Sequence, residues 1–346
     1  MEGQGLDKPS ALPQPWAKDA REESTMLTRT LACLAALCLT ATPATAQDYP
    51  SKPIRILVGF APGGIVDEAA RYLADYLTRE TGQQAIVENR TGAAGVPALG
   101  VVAKADPDGY TIAVTISGSL VISPFVQKQM PLDVTKDLAL VSSLVEAPQF
   151  IAINSQLPAK TLPEFIALMK KKPGGYDYGS AGIGSLPHLS AALFAHQAGL
   201  DMVHVPFRGA QPAVAELMAG RIAMVASSVG DLQAGIDGGT IRVLVAAANK
   251  RLPYLPDVPS ATEAGMPNFL VSTWLGVVAP ATTPQPIVDK LHQLTQAMLK
   301  DSAMQKRLAS RNISPMHMSQ SEFRSFVAKE YELWRGHIKT IGIEPQ

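Results

Sequence analysis

Cysteine is almost absent from this chain. Its 346 residues include two, Cys33 and Cys38. Both fall in a segment read below as removable, so a disulfide framework and a thiolate site are excluded from the rest. Charge is sparse as well: 17% of the residues are charged, and 30 basic side chains balance 30 acidic ones. With no basic excess and no basic run, the electrostatic footprint of a nucleic-acid binder is missing. The apolar run at residues 31–39 falls well short of the roughly 20 residues that a membrane-spanning helix needs. What is present is a 47% hydrophobic composition, enough for a sizeable core at a length that predicts about two domains.

From Met26 the chain reads "MLTRTLACLAALCLTATPATAQ", with Arg29, the apolar run and then Ala44-Thr45-Ala46. That is the layout of a secretory signal peptide over residues 26–46, cut before Gln47. Residues 1–25 precede a complete signal and read as a non-native upstream extension. Lipoprotein processing is not expected. Neither Cys33 nor Cys38 combines a leucine three residues earlier with a small residue just before it. The expected address is the envelope or periplasm, where a chain without disulfides relies on its core. About 300 residues can supply one.

Strand-like runs alternate with helical patterns almost throughout. "IRILVGF" precedes a helix from Val66 to Glu80, with Ala69, Ala70, Leu73, Tyr76 and Leu77 at helical spacing. "QAIVENR", "YTIAVTI", "MVHVPF", "RIAMVAS", "IRVLVAAA" and "FLVSTWLGVVAP" read as strands, and "LALVSSLVEAPQFIAINS" as two strands or one bent strand. Thr161 is a predicted N-cap with Pro163 in the first turn, and the chain from Pro286 reads as helical. This alternation predicts a mostly parallel α/β sheet. Ligands of such sheets sit beyond the carboxyl ends of strands. Two glycine-rich strand-to-helix loops, near Gly64 and Ser185, are expected to face one another across a cleft between two domains.

Catalytic signatures are missing. There is no G-x-S-x-G elbow, because Tyr178 precedes Ser180 where the first glycine belongs, and no Walker loop. Gly179, Gly182 and Gly184 run in the reverse order of the dinucleotide fingerprint. His188, His196 and His204 are evenly spaced but lack the i,i+4 spacing of helical zinc pairs, so structural roles are favoured. No metal or cofactor is predicted. The loop "RILVGFAPGGIVDEAAR" offers more. Gly63 and Gly64 permit close backbone approach, and the helix start behind them favours an anion. Asp67 in that first turn would repel an anion, so it is read as a cap of backbone N–H groups, paired with Arg71. Ser185 is a candidate cap of the second helix, and Ser180 is read as a free hydroxyl. Arg208, in "PFRGAQP", is open to two roles, contact with a ligand carboxylate or support of its loop. Both glycine loops also remain open to being mere turns.

The motifs "YPSKPIRILVGFAPGGIVDEAAR", "VENRTGAAG", "ADPDGYTI", "YGSAGIGSLPHLSAALF", "VHVPFRGAQPAVAELMAGRI", "LPDVPSATEAGMP" and "STWLGVVAPATTP" follow in order from Tyr49. Together they resemble the Bug-type periplasmic receptors of tripartite tricarboxylate transporters. The resemblance implies an α/β, two-lobed periplasmic-binding-protein fold (type II, Venus flytrap) with two crossover strands. Residues 48–147 plus 259–346 would form one lobe and 148–258 the other. It implies a non-enzymatic, monomeric receptor that presents a small carboxylate to membrane permease subunits. The residues matching the family's carboxylate loops are Phe60, Pro62, Gly63, Gly64 and Asp67, then Ser180, Ala181, Gly182, Gly184, Ser185 and His188.

Four positions depart from the family pattern. Ala61 stands for a second proline, Ile65 for a small or hydroxylated residue, and Phe207 for a tyrosine. Ala226 and Ser227 replace Phe-Asp. Loss of that aspartate predicts a purely anionic or uncharged-tail ligand rather than an amino acid. Two other classes stay in view: an envelope hydrolase using Ser180, Ser185 and His188, and a ligand-sensing subunit of a membrane signalling protein.

Overall fold

The computed structural model describes residues 49–345. The signal peptide at 26–46, the extension at 1–25 and the cut before Gln47 lie outside the described residues. From Pro50 onward the chain forms one compact unit.

The chain enters through β1 (Ile54–Val58), α1 (Ile65–Thr81), β2 (Ala85–Asn89), α2 (Val96–Ala103) and β3 (Thr111–Ile116). A wide turn at Gly118–Ile122 runs into the short α3 (Ser123–Val126), followed by β4 (Leu138–Pro148). One residue later comes β5 (Phe150–Asn154), then α4 (Leu162–Lys170), β6 (Asp177–Ser180), α5 (Leu186–Ala198) and β7 (Val203–Pro206). The middle segment continues with α6 (Ala210–Met218), β8 (Met224–Ser227), α7 (Val229–Asp237) and β9 (Ile241–Ala246). The chain closes with β10 (Ser272–Pro280), α8 (Gln285–Lys300), α9 (Ser302–Ser310), β11 (Ser314–Pro315) and α10 (Gln320–Ile341).

These strands make two sheets of one design. The first has the order β11-β4-β10-β3-β1-β2 and the second β7-β6-β8-β5-β9. In the first, β1 runs parallel to β2 and β3, while β10 is antiparallel to both β3 and β4. In the second, β6 runs parallel to β7 and β8, while β5 is antiparallel to both β8 and β9. Each sheet is therefore mixed, not mostly parallel, and in each the reversed strand has just crossed from the other sheet. Those are the two crossovers. They are laced together where they meet: Gln149 N–H donates to Val271 O at 2.9 Å, Ala247 N–H to Gln149 O at 2.8 Å, and Val271 N–H to Ala247 O at 3.1 Å.

Strands covered on both faces should be continuously apolar, and every residue of β5 is buried, as is all of β1 except Arg55. The helix α1 lays Ala70, Leu73 and Leu77 on the first sheet, each leucine contributing about 1.5–3 kcal/mol by burial. The helix α5 is buried on most sides. Its Phe194 stacks on Phe165 and meets Phe269 edge-on. Thr161 caps α4 through Glu164 N–H. One helix start and one whole helix differ from the sequence reading by more than a residue. The helix α6 begins at Ala210, inside the segment read as loop, and α7 was not expected at all. Gly230 and Gly235 weaken its helical signal, although Val229, Leu232 and Ile236 keep the 3-and-4 spacing.

Candidate functional site

The first loop leaves β1 through a close backbone contact. A Cβ at Gly59 would lie 2.3 Å from Gly95 Cα, and Phe60 closes over Gly95 from the other side. Gly63 has φ +87°, in the left-handed region, whereas Gly64 at φ −82° is conformationally ordinary. Behind them Asp67 is 2% exposed and gathers four donors. Its Oδ2 accepts from Gly63 N–H at 2.9 Å and Arg71 Nε at 2.9 Å. Its Oδ1 accepts from Arg71 Nη2 at 3.0 Å and Asn89 Nδ2 at 2.8 Å. Asn89 Nδ2 also donates to Phe60 O at 2.9 Å, which ties the loop at both ends. Burial alone would raise the Asp67 pKa, but the Arg71 guanidinium, Gly63 N–H and Asn89 amide outweigh it and hold it down at about 2. Asp67 thus uses the Gly63 N–H that an incoming anion would otherwise find.

The second loop is held by its own side chains. Ser180 is 1% exposed, and its hydroxyl meets His204 Nε2 at 2.7 Å while accepting from Gly182 N–H at 3.1 Å. The free hydroxyl expected at Ser180 is therefore engaged, because the parallel β6–β7 register sets Tyr178 beside His204. Ser185 donates to Gly182 O at 2.7 Å and accepts from His188 N–H at 3.3 Å, capping α5. His188 Nδ1 accepts from Gly184 N–H at 3.1 Å. The rings of His188 and His204 stack with centroids 3.8 Å apart, and Tyr178 stacks on His204 at 5.0 Å. Burial, with His204 beside it, pushes the His188 pKa down to about 4, and burial lowers that of His204. Both imidazoles are neutral at pH 7 and act as loop supports. Ser185 meets only backbone, and Ser180 pairs with His204 rather than His188, so the serine–histidine set proposed for hydrolysis does not assemble.

Both loops border one cavity of about 560 Å³. Gly63, Gly64 and Ile65 come from the first loop and Pro187 from the second. Gln149 and Thr273 lie at the crossovers, Arg311 and Asn312 follow α9, and Ser228 and Asp231 open α7. Phe60, Ala61, Pro62, Asp67, Ala181, Gly182, Gly184, Ser185 and His188 shape the loops without bordering the cavity. Arg208 is exposed, does not border the cavity, and has no carboxylate partner among the described residues. A larger cavity of about 870 Å³ lies against β4, α8 and α10 and takes no residue from either loop.

Three helices begin at the 560 Å³ cavity, and they are not equivalent. Ser185 caps α5, and Pro187 in its first turn has no N–H. No side chain caps α1 at Gly64 or α7 at Ser228. The first N–H groups of those two helices have no intrahelical partner, so two positive dipole ends meet at the cavity. The departure at Ser227 also resolves. Its hydroxyl donates to Asp231 Oδ2 at 2.7 Å, and Ser228 Oγ donates to the same oxygen at 2.8 Å. A carboxylate thus returns to the cavity one turn later in the sequence, and the ground for expecting no amino-acid ligand falls away. Sequence reasoning missed Asp231 because it missed α7; a serine before Val229 and an acid in the first turn were the available signals. Gln149 lay in no motif, and Thr273, although inside "STWLGVVAPATTP", carried no signal that set it at the site. Among the described residues no cluster of side chains is suited to a metal ion, and no helix is long and apolar enough to cross a membrane.

Two sheets joined by paired crossovers, with helix starts converging on one cavity, define a two-lobed solute-binding receptor. Residues 69–343 match the tripartite tricarboxylate transporter family receptor, and the chain belongs to that family. It is 32% identical to Protein BugT of Bordetella pertussis over 320 residues, 91% of this chain and 98% of the relative. Among solved structures it is similar to Rpa4515 of R. palustris with adipate, at 29% identity and a TM-score of 0.76, covering 86% of this chain and 100% of that one. It is also similar to MatC of Rhodopseudomonas palustris with bound malate, at 30% identity and a TM-score of 0.72, covering 84% and 100%. It is similar as well to periplasmic binding protein BugD, at 29% identity and a TM-score of 0.72, covering 86% and 100%; with the receptor family, this makes the chain a receptor rather than an enzyme.

Proposed function

We propose that this protein is a monomeric periplasmic receptor. It binds a small carboxylate in the 560 Å³ cleft and delivers it to the membrane permease of a tripartite tricarboxylate-type transporter. The observation that carries the reading is the meeting of two uncapped helix starts, at Gly64 and Ser228, on one cavity. An ionised carboxylate there gains N–H donors and a favourable dipole field without requiring a basic side chain. The carboxylates bound by the related structures, adipate and malate, are of this class. We assign direct contact to Gly63, Gly64 and Ile65, and loop support to Asp67, Ser180, Ser185 and His188. Residues 48–147 with 259–346, and residues 148–258, act as the two lobes. They close by hinge motion about the laced crossovers, and ligand contacts on both sides favour the closed state.

A thermal-shift screen of organic acids on protein beginning at Gln47 tests this. At about one hundred times its dissociation constant a bound acid adds about 2.7 kcal/mol, which raises the melting temperature by a few degrees. A screen of mono-, di- and tricarboxylates that leaves the melting temperature unchanged would overturn the reading.

A further inference from the structure

The inner end of the cleft holds a polar group that the fold does not use. Gln149 is the single residue between β4 and β5, and both its backbone N–H and its carbonyl are bonded to the return crossover. Its side chain is fixed by that placement and only 2% exposed. Nε2 donates to Thr273 Oγ1 at 3.2 Å, whereas Oε1 is buried with no hydrogen-bond partner. Gln149 and Thr273 both border the 560 Å³ cavity. A buried amide oxygen without a donor has lost its hydration for nothing in return. An apolar residue at this point would avoid that loss, so the amide asks for a partner that arrives with the ligand.

The surrounding groups define that partner. The starts of α1 and α7 supply donors and suit an anion. Gln149 Oε1 is an acceptor only, and Asp231 across the cavity is another. An ionised carboxylate brings no donor of its own and cannot satisfy Oε1. A hydroxyl or N–H on the carbon chain between or beside the carboxyl groups can.

We infer that Gln149 is a specificity-determining residue whose Oε1 accepts a hydrogen bond from a hydroxyl or N–H of the ligand. The receptor therefore selects carboxylates bearing such a donor over deoxy acids of the same length. This deepens, and rests on, the assignment of the cleft as a carboxylate site. Discrimination by an unpaired buried polar group is the strong kind, because the deoxy acid leaves the acceptor stranded.

The test is calorimetric titration of the receptor with two matched pairs, succinate against malate and adipate against 3-hydroxyadipate. Wild-type protein should bind the hydroxy member at least about tenfold more tightly in the pair whose length the cleft accepts. Gln149→Met keeps the length of the side chain and removes the amide, and should bring that ratio close to one. Thr273→Val releases Nε2, leaves Oε1 less well aimed, and should lower the ratio by a smaller factor. Equal affinities within both pairs for the wild type would overturn the inference, and need no variant to fold. A ratio unchanged in Gln149→Met would also overturn it, since a purely structural role at the crossover weakens both members alike. If none of the four acids binds and the thermal-shift screen of mono-, di- and tricarboxylates is silent as well, it is the carboxylate reading of the cleft that fails.

Discussion

Asp67→Asn keeps the shape of a buried side chain and removes its charge, which makes it a direct probe of how the first loop is held. The Asp67 carboxyl is held down from 3.8 to about 2, a preference for the charged form equivalent to about 2.4 kcal/mol. Arg71 is 51% exposed, so solvent screens part of that, and about 1–2 kcal/mol remains. The four donors on Asp67 need two accepting oxygens, and asparagine offers one. At least one donor then faces an amide NH2, which adds about 1 kcal/mol. Urea denaturation at pH 7 should therefore show a loss of about 2–3 kcal/mol. The charged form is favoured in the folded protein, so this stability is present above pH 3.8 and drains away as the pH falls towards 2. The gap between wild type and variant should narrow across that window. A gap under about 0.5 kcal/mol at pH 7, or one that stays constant on acidification, would refute the account.

Three glycines of the first loop should separate cleanly. Gly63→Ala meets open space but keeps φ +87°, so denaturation should show a cost of about 1–2 kcal/mol from the backbone alone. Gly59→Ala drives a Cβ into the Gly95 backbone and should cost more than Gly63→Ala; equal costs would contradict the packing. Gly64→Ala has an ordinary backbone and 3.8 Å to its nearest neighbour, so stability should change by about 0.5 kcal/mol or less while calorimetry shows weaker carboxylate binding. For His188 the neutral form is favoured in the fold. Its stabilising contribution, at most about 3 kcal/mol, is complete above pH 6.5 and lost as the pH falls to about 4. A His188→Gln variant should show a shallower stability slope over that interval, and an unchanged slope would argue against a neutral imidazole accepting from Gly184.

Local pattern carried much of the fold. The apolar run of β1, the helical spacing of α1 and the caps at Thr161 and Ser185 are properties of adjacent residues, and they were legible as such. Contacts made by sheet register were not. Ser180 and His204 stand 24 residues apart, and only the parallel pairing of β6 with β7 brings them together. Gln149 and Thr273 meet because β4 and β10 pair antiparallel at their ends, with Thr273 opposite Ala147. The helix α7 was hidden by its two glycines, and with it Asp231. The glycine loops could be found in the sequence, but whether each N–H was free depended on Asp67, Asn89 and Ser185, whose aim is set by packing.

The three hydrogen bonds joining Gln149, Ala247 and Val271 make a pivot. Any rotation of one sheet against the other turns about it, and displacement grows with distance from it, as along a lever. Under the proposed hinge closure, Gln149 would sit on the axis and hardly travel, while Asp231 and Arg311, which border the same cavity, would move through the larger arcs. The two ends of a ligand would then be read at different times. The end at Gln149 would be gripped first and set how fast a solute is captured. The far end would be met only on closure and set how long it stays.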